Sequence, residues 1–104
     1  MADAYAWVGS TAKEIARAVR RGDTSAATVV ADHLAHIQAR EAAVGALRVV
    51  RAGAAIAEAD AVDAEEELRD LPLAGVPVAV KENTAIAGLP TWVPFPYATK
   101  EIPL

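Results

Sequence analysis

Apolar residues in the first third of the chain recur at spacings of three and four. Ala12, Ile15, Ala16 and Val19 fall on one side of a helix. Thr11 and Glu14 stand at its start in the spacing of a capping box, where the threonine side chain accepts from the Glu14 amide and the carboxylate reaches back. Gly22 ends that helix. Asp23 or Thr24 caps a second one, and Ala26, Val29, Val30, His33, Leu34 and Ile37 make its apolar face. The two helices are expected to form an antiparallel hairpin.

Beyond them the period changes. Ala46 to Val50 is a short run readable as a strand, although its length and alanine content leave a helix open. Ala54 to Leu68 is rich in alanine and glutamate; Ala55, Ile56, Ala59 and Val62 form a stripe, with Glu58, Asp60, Asp63 and Glu65 on the solvated side of a third helix. Pro72 breaks the pattern. Val76 to Val80 are β-branched, small or Pro and carry no charge, so they read as a short buried strand delivering Lys81 to a sheet end; Pro77 sits near its start or at an unpaired position. The predicted fold class is therefore α/β: an N-terminal helical hairpin followed by strand-helix-strand. From Trp92 the chain turns to closely spaced prolines and aromatics, which suit neither a helix interior nor a central strand, and 92–104 reads as an atypical, irregular tail.

Composition narrows the function. The 104 residues are 54% hydrophobic, which disfavours wholesale disorder, but much of that fraction is alanine, which buries little area per residue. A net charge of −4, with basic residues spread among acidic ones, argues against nucleic acid and against an anionic membrane surface as partners. The absence of cysteine removes thiolate chemistry and cysteine metal sites. Met1 to Tyr5 lacks a basic segment leading into an apolar one, and no apolar run approaches the roughly 18 residues of a membrane span, so a cytoplasmic location is the default. No cofactor is implied, because no phosphate loop, dinucleotide fingerprint or metal cluster is present.

The run Pro72-Leu73-Ala74-Gly75-Val76-Pro77-Val78-Ala79-Val80-Lys81-Glu82-Asn83, continued by Gly88-Leu89-Pro90-Thr91, resembles the N-terminal lysine segment of the amidase signature family. Thr11 to Glu14 and Leu34 to Ile37 are similar to the two helices with which members commonly begin, so the resemblance spans roughly residues 8 to 91. It implies hydrolysis of a carbon–nitrogen amide bond, on a small-molecule amide, by a serine nucleophile, a second serine in a cis peptide and a lysine that moves protons through that second serine. Lys81 matches the lysine, and burial that disfavours a charged amine would let such a residue act as a base near neutral pH. The two serines have no match. Ser10, Thr11, Thr24 and Ser25 are better read as helix caps, and after Thr91 the family's usual Gly-Ser pair is replaced by Val93, Pro94 and Phe95. Residues 1–104 are thus expected to be the N-terminal fragment of an amidase domain, an incomplete portion of the amidase signature fold that lacks activity alone.

A noncatalytic interaction module, docking through the edge of the lysine strand or through the hairpin, is the alternative. Either way an unpaired strand edge favours self-association. His33 and His36 stand three apart on the second helix but have no third metal ligand spaced to join them, and Asp63, Glu65, Glu66 and Glu67 read as a solvated helix face. Glu82 and Asn83 are placed to orient Lys81 or the loop after it. Gly88 and Pro90 can turn the chain sharply after the lysine loop.

Overall fold

A computed structural model describes residues 5–81, 84 and 86–88, and the backbone at 90–91 and 100–101. Helix α1 spans Ala12–Arg21, α2 spans Ala26–Val44 and α3 spans Ala52–Asp63, followed by a single 3-10 turn at Leu68–Asp70. Two short strands, β1 (Pro90–Thr91) and β2 (Lys100–Glu101), pair antiparallel, with Pro90 opposite Glu101 and Thr91 opposite Lys100.

The helices follow the apolar spacing. Thr11 caps α1 as a full capping box: the Glu14 amide donates to Thr11 Oγ1 at 3.1 Å and the Thr11 amide donates to Glu14 Oε1 at 2.9 Å. Gly22 closes α1 in the left-handed conformation, φ +78. Helix α2 is capped by Ser25 and not by Asp23 or Thr24, its hydroxyl oxygen accepting from the Thr28 amide at 3.1 Å. The core is small: Ile15 and Val19 of α1, Ala26 and Val29 of α2, Ala59 of α3 and Ala74 of the following loop, with Trp7, Val30, Val62, Leu68, Leu71 and Val76 packed against it.

The α/β class is overturned. Among the described residues the fold is helical, with no strand-helix-strand unit, and the closest helix pairing is α2 along α3, not an α1–α2 hairpin. The 46–50 run forms neither strand nor helix, because Glu41 draws it back onto the end of α2: the Gly45 amide donates to the Glu41 carbonyl at 2.8 Å and the Leu47 amide to its side chain. The expected lysine strand, 76–80, belongs to no ladder. A strand exists only by pairing, and among the described residues the apolar run has no strand beside it. Its second half lies in the open, Val78 at 71% and Val80 at 45% exposure. The third helix ends at Asp63, short of Leu68, and Asp63, although exposed, does more than face solvent: its carboxylate accepts from the amides of Ala26 at 2.7 Å and Ala27 at 3.0 Å, across the start of α2. The irregular tail expected over 92–104 lies outside the described residues except for Lys100 and Glu101 in β2.

Candidate functional site

The lysine segment is fixed to the helices at its upstream end. Arg20, in the last turn of α1, donates through Nη1 to the carbonyl oxygens of Leu71 at 3.1 Å and Pro72 at 2.9 Å. Ala74 is 2% exposed, and Gly75 follows at φ +74, a conformation that L side chains rarely adopt. A Cβ at Gly75 would stand 2.8 Å from Val19 Cγ2 and 3.2 Å from the Ala26 Cα. The Val76 amide then donates to the Leu73 carbonyl at 3.1 Å, closing a turn, and Val76 and Pro77 are half-buried.

From Val78 the segment leaves the core and runs along a groove of about 860 Å³. One wall is α2, with Val30, His33, Leu34 and Ile37; another is α3, with Ala55 and Val62; the 46–51 loop and the lysine segment close it. Lys81 lies on this groove together with Thr84 and Ile86. It is exposed, and the Thr84 amide donates to its carbonyl at 2.9 Å, so the chain turns immediately after it. Among the described residues Lys81 makes no ion pair, and the buried sheet end expected around it is replaced by an open apolar channel. Glu82 and Asn83 lie outside the described residues.

Most of the other polar groups singled out are engaged in local contacts. Ser25 donates its hydroxyl to Thr28 Oγ1 at 2.9 Å while capping α2. His33 lies on the groove with its Nδ1 2.7 Å from the Val29 carbonyl, the contact of a helix-face histidine bonding one turn back. His36 meets the Tyr5 ring edge-on, centroids 5.1 Å apart at 72°, and its Nδ1 is buried without a partner. Arg51 and Glu58 pair at 3.5 Å beside the groove. Among the described residues no three His, Cys, Asp or Glu gather to hold a metal ion, and no helix is long and apolar enough to cross a membrane. Sequence reasoning gives Arg20 no role, takes Gly75 only as part of the resembling run and reads Asp63 as a solvated face residue. Of these only Gly75 carried a local signal, since a glycine between an alanine and a β-branched residue often marks a positive φ or a close backbone approach.

Comparison with known proteins gives the site a lineage. The Amidase family profile matches residues 28–103. The A subunit of glutamyl-tRNA(Gln) amidotransferase from Streptomyces coelicolor is 41% identical over 85 residues, 80% of this chain and 17% of that protein. The protein of the same name from Streptomyces avermitilis is 42% identical over 85 residues, with the same shares. That from Nitratidesulfovibrio vulgaris is 45% identical over 74 residues, 71% of this chain and 15% of that protein. The chain therefore spans about a sixth of the length of these curated relatives. No solved structure matches it. Since the profile runs through α2, α3 and the whole lysine segment, the chain belongs to the amidase family.

Proposed function

We propose that this chain is the lysine-bearing part of an amidase-type hydrolase acting on carbon–nitrogen amide bonds, with Lys81 as the group that moves protons to and from a serine nucleophile. The observation that carries the reading is the family match over 28–103 with Lys81 inside it, on the lining of a groove and followed by a turn. The nucleophile is neither Ser10 nor Ser25, the two serines of the sequence: Ser25 is engaged as a cap, and Ser10 stands at the foot of α1, away from the groove-lining residues. The chain alone is accordingly inactive, residues 1–104 acting as the N-terminal portion of a larger amidase domain. Its substrate would be an amide; the relatives are named as amidotransferase subunits, which makes transfer of an amide group one version of that chemistry.

The test is a chimera. Residues 28–91 replace the matching stretch of the Streptomyces coelicolor relative, and amidotransferase activity is assayed with and without Lys81→Ala. Loss of a proton-transfer group lowers kcat by about 10²- to 10⁴-fold. A chimera that works equally well with Lys81→Ala refutes the reading.

A second reading, a noncatalytic docking module, is favoured by one observation: Val78 and Val80 are exposed on a segment that belongs to no ladder. A stable complex unaffected by Lys81→Ala would support it.

A further inference from the structure

We propose that Arg20 and Gly75 are positioning residues for Lys81, joining α1 to the lysine segment at two points. The inference rests on reading Lys81 as the proton-transfer lysine, but its test reads where Lys81 is held and not whether an amide is cleaved.

The first point is the Arg20 guanidinium. It bonds two successive main-chain carbonyls, those of Leu71 and Pro72, and no carboxylate competes for it among the described ion pairs; the nearby Asp23 pairs with Arg21 at 3.9 Å. A guanidinium nitrogen donating to two adjacent carbonyls fixes the direction of the chain as well as its distance from α1. The second point is Gly75, where the main chain lies so close to Val19 and Ala26 that any side chain would overlap them. Both points precede the residues at which the segment leaves the core, so they set the path along which Val78 to Lys81 enter the groove. The turn closed by the Thr84 amide on the Lys81 carbonyl then fixes the far end. Without the two upstream points the apolar run has no ladder to hold it in place.

The experiment uses the full chain carrying Arg20→Gln, Gly75→Ala or Gly75→Ala with Val19→Ala, the last removing the Cγ2 atom that the new methyl would strike. Two readouts are taken at matched folded fraction. One is the amide NMR spectrum of residues 76–81. The other is competitive acetylation, giving the reactivity of the Lys81 amine relative to that of Lys13 across a pH series. A merely structural role would lower the thermal midpoint and leave the Lys81-to-Lys13 ratio unchanged.

We expect Arg20→Gln and Gly75→Ala each to shift the 76–81 resonances and change the ratio, and Val19→Ala to restore both partly in the Gly75→Ala background. Unchanged resonances and ratio in Arg20→Gln, with helix content intact, overturn the proposal, and this variant decides alone if Gly75→Ala does not fold. A chimera indifferent to Lys81→Ala would sink the catalytic reading while leaving these two readouts as they are, so the two failures are distinguishable.

Discussion

At the scale of single residues, the positions that matter most are those where one atom more or fewer changes what the backbone can do. Gly75 combines a positive φ with a 2.8 Å approach to Val19 Cγ2, so Gly75→Ala meets both a conformational penalty and an overlap. Strain of the first kind costs about 1 kcal/mol and overpacking about 1–3 kcal/mol, so a loss of about 2–4 kcal/mol is expected in urea denaturation. A loss below about 0.5 kcal/mol, the range of a neutral surface change, would show that the segment does not pack as described. Asp63 is the opposite case, a charged residue whose carboxylate closes the start of a different helix through two backbone amides. Asp63→Ala should cost about 1–2 kcal/mol and fray the first turn of α2, read by exchange of the Ala26 and Ala27 amides. If the change is silent, Ser25 alone is a sufficient cap.

At the scale of elements, the capping box of α1 has a pH dependence of known sign. Glu14 is held below the ordinary carboxylate range, first by the Thr11 backbone amide that donates to it and then by the Thr11 side chain. A group whose folded pKa is depressed contributes stability above its unfolded pKa and loses it as pH falls through the folded value. Acidification below the ordinary glutamate range should therefore loosen the first turn of α1, and Glu14→Gln should flatten that part of the pH–stability curve; an identical curve in the variant would remove Glu14 from the account. The same element shows why helices were legible in the sequence and strands were not. Ile15, Val19, Val29 and Ala59 were found by their spacing because a helix satisfies its own backbone, so local pattern suffices. Val76 to Val80 have the composition of a buried strand, but strand formation needs a neighbour, which no local pattern can guarantee. The capping role of Asp63 is hidden from the sequence for a related reason: it ends one helix and caps another 36 residues or more away in sequence, a pairing invisible to spacing. Lys81 lies on a groove whose walls include α2 and α3, which no local pattern around position 81 could show.

At the scale of the whole molecule, the arrangement leaves an imbalance. Among the described residues the largest fully buried side chains are Val19 and Val29, whereas Leu73, Val78 and Val80 of the lysine segment and Val44, Val49 and Val50 around the end of α2 and its following loop stand 43–71% exposed. Burial of one such side chain contributes about 1.5–3 kcal/mol, so covering several of them outweighs a core this rich in alanine. Exposed apolar residues on a segment that belongs to no ladder among the described residues are the conditions under which strand pairs with strand. The expected outcome is concentration-dependent association, measured by sedimentation equilibrium, with Val78→Lys and Val80→Lys together shifting the chain toward monomer while Val44→Lys, placed on the end of α2, does so less. Because Lys81 adjoins the same segment, association that depends on Val78 and Val80 should also shield the Lys81 amine from acetylation relative to Lys13. If the chain stays monomeric at high concentration with Val78 and Val80 intact, the groove is closed by the chain's own residues, and neither an incomplete amidase sheet nor a docking edge describes this face.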